Sequence, residues 1–329
     1  MTFTSLARIT EKWIGAPSRA AIATTWSAQI MRTETDGSPA SIAGTRASLR
    51  QLVEARQNML VPGTANALGA RIIEDLGFDA VYLTGAGLAN THLGVPDIGL
   101  VTVTELADTT ARIADVTSLP LIVDIDTGFG NAINTYRTVR LMERSGASAL
   151  QMEDQVFPKK CGHFNGKGVI PLPEMLGKIK AVVDARHDEN LLLIARTDAR
   201  AVEGFEKAME RAHAFIEAGA DITFVEAPIN VEELRAIGQL PVPQVANLVV
   251  GGKTPMLSQA ELKDMGFALT LYANAALQAT IKAIQNVLGH LKTNGSLEGI
   301  EDQLAGFIER QRVVDKDTFD ALEKRYTGS

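Results

Sequence analysis

The sequence predicts an α/β fold, a (β/α)8 barrel of the TIM type, and three observations carry that expectation. Between Gly44 and Leu291, eight short apolar runs alternate with helix-like stretches. The runs are continuously apolar rather than alternating, as in strands buried on both faces. The first strand–helix turn, Pro62-Gly63-Thr64-Ala65-Asn66, lacks the Gly-rich fingerprint of an open doubly wound sheet. Eight pairs over roughly 230 residues suit a closed barrel.

Each element has its own signal. Thr45–Gln57 opens the region as an amphipathic helix with Leu49, Leu52 and Val53 on one side. Strands are expected at Met59–Gly63, Ala80–Gly85, Leu119–Asp126, Ala149–Asp154, Leu191–Asp198, Ile222–Glu226, Val242–Asn247 and Phe267–Tyr272. Helices are expected at Ala67–Leu76, Thr104–Val116, Thr135–Ser145, Glu174–Ala185, Phe205–Ala218, Val231–Leu240, Gln259–Met265 and Ala276–Leu291. Gly77, Gly146, Gly219 and Gly266 mark helix ends, where glycine tolerates the left-handed turn. The expected organisation is a poorly ordered extension at 1–43, a catalytic barrel at 44–291 and a helical tail at 292–329. The tail carries Ile300, Leu304 and Phe307 at helical spacing, then Phe319 and Leu322; it caps the barrel or packs on another subunit.

Composition narrows the function. Of 329 residues, 46% are hydrophobic and 22% charged, enough for a large core. The net charge of −7, with no long basic run, argues against nucleic-acid binding. No apolar stretch reaches the roughly 18 residues of a membrane span. The single cysteine excludes an internal disulfide and fits a cytoplasmic setting. Residues 1–33 hold four basic residues and one acid. They read as an extension before an initiator at Met31, or as a transit peptide to the mitochondrial matrix.

Polar residues gather at the expected C-terminal strand ends, the face on which such barrels build their sites. Asp124 and Asp126, two apart on a regular strand, share a face. With Glu153 on the next strand they suit a hard cation such as Mg2+, with Mn2+ as the alternative. Each alone reads as a helix cap. Cys161 sits in the loop Lys159-Lys160-Cys161-Gly162-His163 rather than in an apolar run. Neighbouring cations lower a thiol's pKa, and such a thiol can act as general acid. His163 tunes that thiol or caps the loop. Arg196 ends an apolar strand and needs a carboxylate partner, either Glu226 or the substrate. Gly251-Gly252-Lys253-Thr254 is no phosphate loop, because Asn247 stands where the pattern requires glycine.

Together these residues resemble the isocitrate lyase / phosphoenolpyruvate mutase superfamily. The motifs are Leu83-Thr84-Gly85, Leu93-Gly94-Val95-Pro96-Asp97, Asp124-Ile125-Asp126-Thr127-Gly128-Phe129-Gly130 and Glu153-Asp154-Gln155. Lys160-Cys161-Gly162-His163, Ala195-Arg196-Thr197-Asp198-Ala199 and Glu226-Ala227-Pro228 complete them. The resemblance implies an enzyme that holds Mg2+ through Asp124 and Asp126, with Glu153 in the outer shell. It implies that Thr84, Gly85 and Ala86 wrap a substrate carboxylate. Arg196, Glu226 and Asn247 would line the substrate, Gly162 and His163 would contact it, and Cys161 would be the general acid. It also implies a homo-oligomer, dimer or tetramer, in which the last barrel helix is swapped between subunits.

Within the superfamily the chain looks most like the branch that cleaves 2-substituted malates such as 2,3-dimethylmalate. Gln278 stands where the methylisocitrate-cleaving branch has arginine, and Val250 where glutamate is usual. Ala275 stands where the oxaloacetate-hydrolysing branch has serine. The expected reaction is cleavage of a small dicarboxylate to a 2-oxo acid, such as pyruvate, and a short carboxylic acid. 2-Methylisocitrate cleavage and oxaloacetate-type C–C hydrolysis are the alternatives.

Overall fold

The computed structural model describes residues 41–160 and 166–328, which from Ile42 onward belong to one compact unit. The extension expected at 1–43 lies almost wholly outside the described residues. Eight parallel strands follow one another: β1 (Met59–Thr64), β2 (Val81–Leu83), β3 (Leu121–Asp124), β4 (Ala149–Glu153), β5 (Leu192–Thr197), β6 (Ile222–Val225), β7 (Val245–Asn247) and β8 (Leu269–Tyr272). Their order, β6-β5-β4-β3-β2-β1-β8-β7, is that of the predicted TIM-type barrel. The ring closes between β6 and β7 by one bridge, Thr223 beside Gln244, with the Thr223 N–H donating to Pro243 O at 3.1 Å.

Helices wrap this sheet: α1 (Ile42–Glu54), α2 (Ala67–Asp75), α3 (Gly85–Leu88), α4 (Val103–Ala114), α5 (Ala132–Arg144), α6 (Leu172–Ala185), α7 (Ala199–Val202), α8 (Phe205–Glu217), α9 (Val231–Gly238), α10 (Gln259–Met265) and α11 (Ala275–Asn294). Two short tail helices follow, α12 (Phe307–Val313) and α13 (Lys316–Thr327). The expected glycine stops hold: Gly77 and Gly219 adopt φ of 80° and 108° just past their helices. Behind each, the next N–H bonds back to the helix, Phe78 to Ile73 O and Ala220 to Phe215 O. The short α3 and the π-helical turn Ala89–Leu93 that continues it were not anticipated. Their sequence, Gly-Ala-Gly-Leu-Ala-Asn, carries too short an apolar pattern to signal a helix.

The barrel has a gradient along its axis. Side chains two apart on a strand share a face. On β4 that series runs Ala149, Gln151, Glu153; on β5, Leu192, Ile194, Arg196; from β6, Ile222, Phe224, Glu226. The lower members join Val61, Tyr82, Ile122, Val245 and Leu269 in one apolar interior. The upper members are polar and open the C-terminal end. α1 plugs the opposite end: Leu49 and Val53 insert into the interior cluster, each burial contributing about 1.5–3 kcal/mol. Arg46 fastens the plug by donating to Ala147 O (2.9 Å) and Glu143 O (2.7 Å). The tail meets α2, with Arg312 bidentate to Asp75 at 2.8 and 2.6 Å.

Candidate active site

The polar upper layer surrounds a small, partly open cleft with a cavity volume of about 40 Å3. Tyr82, Thr84, Asp97, Asp124, Glu153, Lys159, Lys160, Arg196, Glu226, Asn247 and Asn274 supply its polar lining. Ala86, Phe224, Val249, Leu271 and Ala273 supply its apolar lining. The cleft therefore joins seven of the residues singled out from sequence: Thr84, Ala86, Asp124, Glu153, Arg196, Glu226 and Asn247. Cys161, Gly162 and His163 lie outside the described residues.

Asp124 and Asp126 converge, though not as a regular strand would bring them. β3 ends at Asp124, and Asp126 turns into the left-handed region at φ 47°. The turn is held by the Asp126 N–H donating to Asp124 Oδ1 at 3.2 Å. Asp124 also accepts from Gln151 Nε2 (3.3 Å) and from the Gly85 N–H (3.3 Å). The helix-cap reading fails for both, since Asn131 caps α5. Gly85, expected with Thr84 and Ala86 to wrap a substrate carboxylate, directs its N–H at Asp124. Thr84 lines the cleft, but its hydroxyl also caps α3 at Gly87 N and donates to Asn274 Oδ1 at 3.2 Å.

Arg196 finds partners beyond Glu226, whose charge also acts on it. Register sets them: Arg196 is the cross-strand neighbour of Glu153 on β4 and of Phe224 on β6. One guanidinium nitrogen reaches Glu153 Oε2 at 3.3 Å, and the other two grip Asp198 at 2.9 and 3.0 Å. The cation lies 5.3 Å from the Phe224 ring centre, within cation–π range. Asn247 Nδ2 reaches Glu226 Oε2 at 3.5 Å.

Lys159 and Asp97 are functional candidates that sequence reasoning passed over. Lys159 was read as a cation acting on the neighbouring thiol. Its buried ammonium instead stands 2.6 Å from Asp97 Oδ1 and 2.7 Å from Asp126 Oδ1. Burial would depress this ammonium, but Asp126, Glu153, Asp124 and Asp97 together hold it well above its usual range. Burial is also the main force on its neighbours. It raises the Asp126 carboxyl to about 7, with Lys159 opposing and Asp124 and Asp97 adding. It raises Glu153 against the pull of Arg196. It holds the Tyr82 phenol protonated, with Asp124 acting in the same direction. The signal for Lys159 was its place beside a resemblance motif; nothing in the pattern showed that it turns inward.

The donor set suits a hard divalent cation. Glu153 Oε1 is buried and, among the described residues, accepts no hydrogen bond. A Cβ built on Gly85 would stand 3.1 Å from both Asp124 Oδ2 and Asp126 Oδ1, so those oxygens face one small space. Among the described residues no three acid, histidine or cysteine side chains form a ready ligand cage. Two carboxylates completed by water and substrate oxygens are the habit of Mg2+.

The positions expected to separate the branches stand away from the cleft walls. Gln278 and Ala275 are exposed on the first turns of α11 and do not line the cleft. Val250 is 69% exposed, and its neighbour Val249 lines the cleft instead.

Comparison with known proteins agrees with this geometry. The family model for phosphoenolpyruvate phosphomutase matches residues 49–292. The 2,3-dimethylmalate lyase of Eubacterium barkeri is 42% identical over 283 residues, covering 86% of this chain and 98% of that one. The 2-methylisocitrate lyase of Aeropyrum pernix is 46% identical over 257 residues, 78% of this chain and 82% of that one. A crystal structure of 2,3-dimethylmalate lyase, described as a PEP mutase/isocitrate lyase superfamily member, superposes with a TM-score of 0.81 at 33% identity, covering 86% of this chain and 95% of that one. A barrel of this order, with its acids at the C-terminal strand ends and a family match across nearly all of it, belongs to the phosphoenolpyruvate mutase/isocitrate lyase superfamily of enzymes.

Proposed function

We propose that the protein is a Mg2+-dependent carbon–carbon lyase that cleaves a 2-substituted malate, 2,3-dimethylmalate or a close homologue, to a 2-oxo acid and a short carboxylic acid. The observation that carries this reading is the mixed lining of the cleft. Asp124, Glu153, Lys159 and Arg196 line it together with Phe224, Val249, Leu271 and Ala273, and Asp126 adjoins through Lys159. The first group suits a chelated 2-hydroxy acid and the second suits alkyl substituents. Kinship with a 2,3-dimethylmalate lyase supports the same substrate class.

Asp124 and Asp126 would hold Mg2+, which when bound lowers the pKa of a coordinated hydroxyl and offsets carboxylate charge. The protein's own residues do the rest. A carboxylate of this layer, Asp126 beside the Lys159 ammonium being the candidate, would accept the 2-hydroxyl proton. Tyr82, held protonated, is a donor rather than the base. The C2–C3 bond breaks, its electron pair passes to C3, and the C2 oxygen becomes the carbonyl of the 2-oxo acid. Arg196 stabilises the charge that develops. Cys161 then delivers its thiol proton to C3, a role taken from the resemblance. Exclusion of water while the carbanion exists would protect that step.

A coupled assay of 2-oxo acid release tests the reading. The panel holds 2,3-dimethylmalate, simple alkylmalates, 2-methylisocitrate, isocitrate and oxaloacetate, with and without Mg2+. Preferred turnover of the dicarboxylates, abolished by EDTA, is expected. Preference for 2-methylisocitrate, or release of oxalate and acetate from oxaloacetate, would replace it with the corresponding alternative. Cys161→Ser should bind substrate with near-normal affinity and lose turnover; equal turnover would remove the acid role.

The protein is also proposed to be a homo-oligomer, a tetramer built from helix-swapped dimers. α11 spans 20 residues, yet none is buried. Among the described residues no helix is long and apolar enough to cross a membrane. A cytoplasmic location is proposed, with the mitochondrial matrix the alternative if residues 1–33 act as a transit peptide.

A further inference from the structure

We propose that Lys167, which lies outside the cleft, is a positioning residue that sets the charge and aim of Arg196 through Asp198. This rests on the reading of the cleft given above, in which Arg196 stabilises an anion. Three observations carry it. The Lys167 ammonium lies 2.6 Å from Asp198 Oδ1, with the two side chains 2% and 0% exposed. The same carboxylate grips Arg196 through both oxygens, Nε to Oδ2 at 2.9 Å and a terminal nitrogen to Oδ1 at 3.0 Å. The remaining terminal nitrogen faces Glu153 Oε2 at 3.3 Å.

Arg196 is thus placed between two carboxylates. Asp198 alone would neutralise Arg196 beside a cleft that must admit an anion. Lys167 brings a second cation to the same carboxylate. Its field is felt at Asp198, where burial would raise the carboxyl but Arg196 and Lys167 together hold it below its usual range. Asp198 is anchored from behind by its own N–H, which donates to Asp154 Oδ1 at 2.9 Å. With Lys167 in place, Asp198 divides its charge between two cations, and more of the Arg196 field reaches the cleft. Without Lys167, Arg196 serves Asp198 alone. A fixed dipole or charge aimed at developing negative charge loses effect when it is neutralised beforehand.

Lys167→Met and Lys167→Gln remove the charge, and Lys167→Arg keeps it. The readouts are kcat and KM on the best substrate of the panel, calorimetric binding of oxalate in Mg2+, and the melting temperature. Oxalate is a planar dianion shaped like the enolate of a 2-oxo acid. The neutral variants should lose at least tenfold in kcat with KM within threefold, and should bind oxalate at least tenfold more weakly. Lys167→Arg should come within threefold of wild type on both. Wild-type oxalate affinity in Lys167→Met or Lys167→Gln would overturn the proposal. So would an equal loss in Lys167→Arg, which would mark a merely structural contact. A wild-type protein that neither binds oxalate nor turns over any of the panel would overturn the reading of the cleft, and this proposal with it.

Discussion

Lys159 places its ammonium 2.7 Å from Asp126 Oδ1, inside a layer that also holds Asp97, Asp124 and Glu153. A buried lysine among so many acids balances charge that would otherwise stand unpaired. Removing one partner of a buried pair costs about 3–5 kcal/mol, because the remaining charge is left uncompensated. Lys159→Met should therefore lower the melting temperature in EDTA. A cation binding the native state alone restores stability by mass action. Saturating Mg2+ should then raise the melting temperature of Lys159→Met more than that of wild type. Equal shifts in the two proteins would show that Lys159 and the ion do not answer the same charge.

A second charge cluster, at the far end of the barrel, predicts the acid limit of stability. Burial would raise the Glu143 carboxyl. The backbone N–H groups of Asp188 and His187, the His187 ring and Arg46 overcome this and hold it below its usual range. A depressed folded pKa adds stability that is complete above the unfolded value, about 4.3. That stability is lost as pH falls through the lower folded value. Glu143→Gln should melt below wild type at pH 7, and the gap should close as pH drops beneath the carboxylate range. The measurement is melting temperature from pH 7 to pH 3; a gap that stays constant would contradict the assignment.

α11 carries the prediction about assembly. Ile281, Ile284 and Leu288 are 48%, 52% and 56% exposed on a helix that should cover the β8–β1 side of the barrel. An apolar stripe of this length belongs against another surface. Ile284→Glu combined with Leu288→Glu should convert the proposed tetramer to smaller species, read by light scattering after gel filtration. An unchanged mass, or a monomeric wild type, would refute the swapped-helix arrangement.

The sequence placed all eight strands because continuous apolar runs report burial on both faces, whatever the partner strand. It overran the end of β3, since Asp126 enters a left-handed turn that an acidic residue does not announce. It missed the partners of Arg196 because those depend on register. Glu153 stands beside Arg196 only once β4 and β5 are aligned, and Asp198 reaches back from just past the end of β5. Lys159 was legible as a loop cation but not as an inward one. The loop's direction is set by contacts such as Gln155, which holds both the N–H and the C=O of Lys160 at 3.0 and 2.8 Å. The positions that the resemblance marks as separating the branches, Gln278, Ala275 and Val250, do not line the cleft. The structure moves that question to the side chains that line the cleft, Val249 and Asn274 among them.

Gly85 offers the most direct test of the ion site, because it is the backbone against which the two aspartates converge. A methyl group there would stand 3.1 Å from Asp124 Oδ2, 3.1 Å from Asp126 Oδ1 and 3.4 Å from Asp124 Cγ. The φ of Gly85 lies outside the positive range, so alanine meets no backbone strain there. In a helix interior alanine is favoured over glycine by about 0.8–1 kcal/mol, and Gly85 opens α3. The intrusion is therefore felt by the carboxylates rather than by the fold. Gly85→Ala should keep a melting temperature near that of wild type in EDTA. Its Mg2+ affinity, measured by calorimetry, should fall at least tenfold, because an ion of this size demands close ligand geometry. Unaltered Mg2+ affinity in a well-folded Gly85→Ala protein would place the ion elsewhere and remove Asp124 and Asp126 from its coordination.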